Sequence, residues 1–166
     1  SGAVPGHELA GVVEHSLGGN PVSRWWRRRT GHSKAVLAAA RGANLLHVSD
    51  QEQAHLIPKN SPIPVSVTIH DLFHLRPRVQ ADIEVGDHSP GPVRRKDLAE
   101  LEAGIGRADL LICISKATAA ECREIWPGKQ VAVVHHAIDS AAYRTDSASG
   151  PSQFRLLTVG SDEPRK

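Results

Sequence analysis

The last seven residues of the chain, Gly-Ser-Asp-Glu-Pro-Arg-Lys at 160–166, have the residue types of a phosphate-binding loop. They follow a short apolar run at 156–159, which is typical of a buried strand. Gly160 permits a tight turn after that strand, and Arg165 and Lys166 supply positive charge for a phosphate. The segment therefore predicts a phosphate site formed by Gly160, Arg165 and Lys166.

A second candidate site follows the apolar run 65–69, where His70 and Asp71 come directly after a predicted strand. In open parallel sheets, ligands bind at the carboxyl ends of the strands, so this pair is placed to meet a substrate hydroxyl or phosphate. The structural alternative is that Asp71 caps a turn and that His70 is a hydrogen-bonded structural residue. Together with His74 the pair offers too few ligands for an ordinary metal site, and we predict no bound metal.

Polar side chains lie at the ends of three other predicted strands. His47 and Asp50 come at the end of the first apolar run, Ser115 ends a later one, and His136 follows the next. Asp50 and Ser115 are also N-cap residues for the helical segments behind them, and the backbone N–H groups of such a helix start can bind an anion. Since parallel strands end at one edge of a sheet, we expect His47, Asp50, Ser115 and His136 to line a cleft. For His136, a structural turn is the favoured alternative.

The elements that would position these residues alternate between strands and helices. Most of the short apolar runs are rich in Val, Ile and Leu without strict alternation, which is typical of parallel strands buried on both faces. The predicted strands are 44–49, 64–69, 109–115, 131–135 and 155–160, and the predicted helices are 33–41, 94–107 and 116–126. This order predicts an α/β fold with a parallel sheet flanked by helices. We also predict a strand at 9–13 and a long loop at 76–93.

Composition limits the classes of function. A chain of 166 residues with 40% hydrophobic and 23% charged residues is an ordinary globular domain, and a net charge of +2 does not indicate a nucleic-acid partner. The basic and aromatic run Arg24–Arg29 is interpreted as a solvated segment, although contact with a membrane surface stays open. No apolar run is long enough to span a membrane. The two cysteines, Cys113 and Cys122, are predicted to be buried thiols.

Taken in order, these segments resemble the retaining glycosyltransferases of family 4, which belong to the GT-B group. The segments that carry the resemblance are LLHVSDQEQAH at 45–55, VSVTIHDLF at 65–73, RADLLICISKAT at 107–118, VAVVHHAID at 131–139 and LLTVGSDEPRK at 156–166. The resemblance covers roughly residues 43–166. It implies two Rossmann-like domains, one for the acceptor and one for a nucleotide-sugar donor, and sugar transfer with retention and without a cofactor.

The resemblance also implies a division of the chain and roles for single residues. Residues 1–143 would be part of the N-terminal acceptor domain, 144–154 a linker, and 155–166 the first strand of a donor domain that lies beyond this chain. His70, with Asp71, would be the catalytic pair in the cleft near the transferred sugar, and Ser115 would lie on the acceptor side. Gly160, Arg165 and Lys166 would meet the donor diphosphate, although Ser161 stands where many members carry Arg.

Several further expectations follow from this interpretation. The acceptor would be a glycan or a lipid-linked saccharide, recognised in part by the loop 76–93. The chain would be cytoplasmic, with peripheral contact at the inner face of the membrane, and would not bind nucleic acid. Because the donor side is incomplete, we expect no useful transfer by this chain alone. The alternative is a non-catalytic α/β module that binds a small anion at the starts of its helices.

Overall fold

The computed structural model describes residues 6, 8–13, 20, 31–80 and 82–139 of the chain. The elements are α1 (His32–Ala39), β1 (Leu46–Val48), a 3-10 helix (Gln51–Leu56), β2 (Val65–Ile69), β3 (Arg78–Gln80), β4 (Ile83–Val85), α2 (Pro92–Gly106), β5 (Leu110–Cys113), α3 (Lys116–Ile125) and β6 (Gln130–Val133). The predicted strand 155–160, the linker 144–154 and the run Arg24–Arg29 lie outside the described residues.

Four strands form one parallel sheet in the order β1-β2-β5-β6. Residues of β2 are paired with β1 on one side, as Leu46 with Val65, and with β5 on the other, as Val67 with Leu111. Helices flank the sheet, so the chain has the Rossmann-like α/β fold that the sequence predicts. All four carboxyl ends lie at the same edge of the sheet, because all four strands run in the same direction.

The central strand β2 is buried along most of its length, although its sequence alternates apolar and polar residues. Val65, Val67 and Ile69 are buried, and so is Ser66, which points to the other face. The core cluster adds residues of β5, α2 and α3 to these side chains, among them Leu111, Ile105 and Ala119. Burial on both faces of β2 therefore holds its end, and the residue that follows it, in a fixed place.

The 3-10 helix packs closely against α2, and a glycine makes this approach possible. A Cβ atom at Gly104 would collide with the backbone carbonyl of Ala54 and would lie 2.7 Å from the backbone nitrogen of His55. Gly104 is itself buried within α2. Glycine has a poor helix propensity, but at this position it allows α2 to contact the segment that follows β1 directly.

Two predicted N-caps are confirmed. The Asp50 carboxylate accepts a hydrogen bond of 2.9 Å from Glu52 N at the start of the 3-10 helix. The Ser115 hydroxyl accepts one of 3.1 Å from Thr118 N at the start of α3. Each cap ends a strand and starts a helical segment at the same edge of the sheet, so the caps place the polar residues there.

The opposite edge, at the amino ends of the strands, carries structural contacts. Asp109 accepts a hydrogen bond of 2.8 Å from Val65 N and donates one of 2.8 Å from its own backbone nitrogen to Val65 O. Lys129 Nζ donates to the carbonyl of Ala108 at 2.9 Å. These contacts join the loops that enter β2, β5 and β6.

Two predictions of local structure are wrong. The segment 76–93 is not a long loop, because β3 and β4 form an antiparallel hairpin in it and α2 begins at Pro92. Asp82 lies in the hairpin turn with a φ of 64°, a left-handed conformation that Asp tolerates better than most residues. Residues 8–13 form no strand, and Leu9 and Val12 are exposed, so this apolar patch has no sheet to bury it.

Candidate functional site

Three strand ends meet at His70, which directly follows β2. Its ring Nε2 lies 3.2 Å from the backbone carbonyl of Ser49, after β1. The ring also stacks on His136, after β6, with centroids 5.7 Å apart and an angle of 22° between the planes. His135 supports this arrangement, because its Nδ1 lies 3.0 Å from the carbonyl of Ile114 at the end of β5. The segment 134–139 therefore crosses the end of β5 to reach His70.

The backbone of His70 is held by two buried polar side chains. Its N–H donates a hydrogen bond of 2.9 Å to Gln51 Oε1, and its carbonyl lies 3.5 Å from the Thr118 hydroxyl. Gln51 is only 7% exposed and Thr118 9%. Burying an amide or a hydroxyl is unfavourable unless it is hydrogen-bonded, so the position of both side chains depends on such contacts. They fix the backbone at the point where it leaves the sheet.

Sequence reasoning missed Gln51 and Thr118. Each comes shortly after a recognised N-cap, Gln51 one residue after Asp50 and Thr118 three residues after Ser115. The caps indicated where the helical segments begin, but the partner of a side chain on another strand cannot be found from the spacing along one segment.

The predicted residue Ser115 lies at the same edge and reaches His70 through Thr118. Its hydroxyl oxygen is 2.9 Å from the Thr118 hydroxyl, in addition to the cap that it forms. The hydroxyl is half-buried, and the first turn of α3 leaves backbone N–H groups beside it. Ser115, Thr118 and His70 thus form one connected polar group.

Asp71, the predicted partner of His70, makes a turn contact. Its Oδ1 accepts a long hydrogen bond of 3.4 Å from Phe73 N. This is the structural alternative that the sequence left open. Asp71, which follows His70 in the sequence, is half-buried. It lines a small cavity with Leu72 and Leu101.

His47 lies within β1, as the predicted strand 44–49 implies, and its ring meets hydroxyl groups of β2. Nδ1 is 2.9 Å from Ser66 Oγ, and Nε2 is 3.2 Å from Thr68 Oγ1. Partial burial lowers the pKa of His47. Burial therefore favours the uncharged ring, and the two hydroxyl groups that it contacts lie on β2. Asp50 caps the 3-10 helix nearby.

A charged network that the sequence did not indicate joins the hairpin segment to α2. Asp87 Oδ2 lies 2.8 Å from His74 Nδ1 and 2.8 Å from Arg94 Nη2. The hydrogen bond from Arg94, followed by that from His74, holds the pKa of Asp87 below its ordinary value. His74 Nε2 is also 3.4 Å from a carboxylate oxygen of Glu52. The network anchors the segment after the hairpin to the 3-10 helix and to the start of α2.

In this network the His74 ring contacts the carboxylates of Asp87 and Glu52. Within the described part of the chain, no three His, Cys, Asp or Glu side chains are arranged to hold a metal ion. The same part of the chain contains no helix long and apolar enough to cross a membrane.

The predicted phosphate-binding residues Gly160, Arg165 and Lys166 lie outside the described residues.

The structure brings together His70, His136 and Ser115 at the carboxyl-end edge of the sheet. It places Asp50 and Asp71 in caps at the same edge and His47 within β1. Imidazoles and a hydroxyl can donate and accept hydrogen bonds, and the helix-start N–H groups add donors, which is what recognition of a polyhydroxylated ligand needs.

Comparison with known proteins identifies a family. Residues 2–142, most of the chain, match the family described as Glycosyltransferase Family 4. No curated protein and no solved structure matches the chain.

Proposed function

Because the chain belongs to Glycosyltransferase Family 4, we propose that it is the acceptor-binding half of a retaining glycosyltransferase of the GT-B type. The complete reaction moves a sugar from a nucleotide-sugar donor to a glycan or a lipid-linked saccharide. The observation that carries this proposal is the placement of His70, held by Gln51 and Thr118 at the carboxyl-end edge of a parallel sheet.

The proposed role of His70 is to hydrogen-bond a hydroxyl of the transferred sugar. Because a carbonyl can only accept, the contact of His70 Nε2 with the Ser49 carbonyl puts the ring proton on Nε2. Nδ1 is then the nitrogen that accepts a hydrogen bond from a sugar hydroxyl in this proposal. Asp71 stands next to it as the second member of the proposed catalytic pair. His136 and Ser115 contact the acceptor in this proposal, and His47 and Asp50 support the cleft from β1. Preorganisation of these groups matters because donor and acceptor must be held in a reactive geometry.

The proposed donor side needs positive charge. A nucleoside diphosphate leaves with developing negative charge, which fixed cations and backbone dipoles stabilise in the transition state. We assign this role to Gly160, Arg165 and Lys166, in a segment that begins the donor domain after a linker at 144–154. The reaction would occur in the cytoplasm, with peripheral contact at the inner face of the membrane where the acceptor is lipid-linked.

Binding measurements on the 166-residue chain test this proposal. Calorimetry against a panel of oligosaccharides should find an acceptor that binds, and His70→Asn should weaken that binding by about tenfold, the equivalent of one hydrogen bond of about 1.4 kcal/mol. The matched control is His55→Asn, because the ring of His55 meets the Glu52 carbonyl at 2.7 Å instead of a strand end. Equal losses in both variants would contradict the assignment of His70.

A turnover assay tests the proposed division between acceptor and donor sides. We expect the 166-residue chain alone to release no nucleoside diphosphate and to transfer no sugar from a panel of nucleotide sugars. Robust transfer would refute the division. The anomeric configuration of the product of any active preparation, read by NMR, tests retention.

A further inference from the structure

The chain contains two cysteines, and the fold brings them into contact. Cys113 is the last residue of β5, and Cys122 lies on α3, nine positions further along. Their sulfur atoms are 3.6 Å apart, and both residues are free thiols with no exposed surface. We propose that Cys113 and Cys122 are a redox-reactive pair that closes to a reversible intramolecular disulfide.

The distance between the sulfurs makes closure a small movement. A disulfide bond is about 2.05 Å long, so the two sulfurs must approach each other by roughly 1.5 Å. They are already in direct contact through an S–H···S hydrogen bond, with no atom between them. The Ser115 cap and the first turns of α3 hold the connecting segment in place, so little conformational freedom is lost when the ring closes.

Because the two sulfurs are in contact, either one can meet a sulfenic acid formed on the other, and the difference in acidity supports Cys113 as the first to react. The hydrogen-bonded contact between the two sulfurs is the main cause that lowers the pKa of Cys113, and the same contact, followed by burial, raises the pKa of Cys122. The thiolate is the nucleophilic form of cysteine, so Cys113 is the attacking residue. Cys122 is the resolving residue that attacks second.

A hydroperoxide supplies the oxidising equivalent. The Cys113 thiolate attacks one peroxide oxygen, the O–O bond breaks, and the departing hydroxide takes up the proton released by Cys113 to form water. Cys122 then attacks the resulting sulfenic sulfur, the S–O bond breaks, and a second water leaves with the Cys122 proton. Two thiols are oxidised to one disulfide, and one hydrogen peroxide is reduced to two waters.

Burial controls which oxidants can react. Since neither thiol is exposed, a small peroxide reaches the pair during local opening of α3, whereas a bulky aromatic disulfide reagent does not.

Closure of the disulfide draws α3 toward β5 close to Thr118, whose hydroxyl lies 3.5 Å from the carbonyl of His70. An effect on sugar binding would rest on the proposed function, but formation of the disulfide does not.

Mass spectrometry of the folded chain tests the pair directly. The protein is treated with hydrogen peroxide, denatured, alkylated with iodoacetamide and cleaved with trypsin, which cuts after Lys116 and separates the peptides of Cys113 and Cys122. We expect the intact mass to fall by two hydrogen atoms, the two peptides to be linked, and dithiothreitol to restore two alkylation sites. Two alkylated cysteines after peroxide, or sulfinic acid on either cysteine, would overturn the proposal.

Two single variants assign the roles. Cys122→Ser should leave Cys113 as a sulfenic acid that dimedone traps, and Cys113→Ser should give several-fold less dimedone adduct on Cys122. Equal trapping in both variants would contradict the roles of attacking and resolving residue. The peroxide result on the unaltered chain decides the main proposal even where a serine variant is poorly folded, because the chain has no third cysteine.

Discussion

Replacing Gln51 with leucine tests whether this buried amide holds His70 in place. Leucine keeps a similar volume but removes the acceptor that now receives the His70 N–H at 2.9 Å. Gln53→Leu is the matched control, because Gln53 Oε1 is buried but has no hydrogen-bond partner among the described residues. The two substitutions are identical in chemistry and lie two positions apart on the same 3-10 helix.

The two substitutions should change the free energy of unfolding differently, and only Gln51→Leu should lower it. Gln51→Leu leaves a partly buried N–H unpaired, which costs about 1–2 kcal/mol. Gln53→Leu removes an unpaired buried oxygen, so its stability should stay unchanged or rise by up to about 1 kcal/mol. With a urea m-value of about 1–3 kcal/mol/M, the loss for Gln51→Leu lowers the unfolding midpoint by roughly 1 M.

Urea unfolding, followed by circular dichroism, measures the free energy of unfolding of both variants. NMR detects any change in the position of His70. The backbone amide and ring signals of His70 should move in Gln51→Leu and should stay unchanged in Gln53→Leu. Equal destabilisation of the two variants, or an unmoved His70 in Gln51→Leu, would refute the argument that this amide positions His70.

Three further predictions concern packing, capping and pH. Gly104→Ala should lose at least about 2 kcal/mol in denaturant unfolding, because its Cβ would collide with the Ala54 carbonyl, whereas Gly106→Ala should be tolerated because its nearest neighbour is a side-chain atom at 3.4 Å. A loss of similar size in both would contradict this contact. Ser115→Ala should cost about 1 kcal/mol, and Ser115→Asp, which keeps the cap, should recover most of it. Stability should fall as the pH drops below about 4, because unfolded Asp87 then binds a proton that the folded chain, with its lowered pKa, does not. Asp87→Asn should flatten that part of the pH profile, and an unchanged slope would show that other groups cause it.

The main sheet could be predicted from the sequence because its short apolar segments alternate with helical patterns along the chain. β5 is a continuous apolar run, whereas β2 alternates apolar and polar residues, so the order of strands and helices predicted the parallel arrangement better than the pattern within any one strand. The caps at Asp50 and Ser115 were predictable because a short polar side chain at a helix start has a specific partner within three residues.

The hairpin and the contacts that hold the site could not be predicted in this way. Strands β3 and β4 are short, and only Val85 among their hydrophobic residues is buried, so they leave no strong apolar pattern. The partners of Gln51, Thr118 and Asp87 lie on other elements and depend on packing of the whole sheet. Local sequence determines which helix or strand such a residue belongs to, and tertiary structure determines which residues its side chain contacts.

The proposed function requires a saccharide to bind at the carboxyl-end edge of the sheet, and NMR mapping on the isotope-labelled chain tests this requirement most directly. On titration with an acceptor saccharide, we predict shifts of the amide signals of His70, His136 and Ser115, with those of Asp109 and Lys129 at the opposite edge unmoved. Shifts centred on Asp109 and Lys129, with His70 unmoved, would contradict the account.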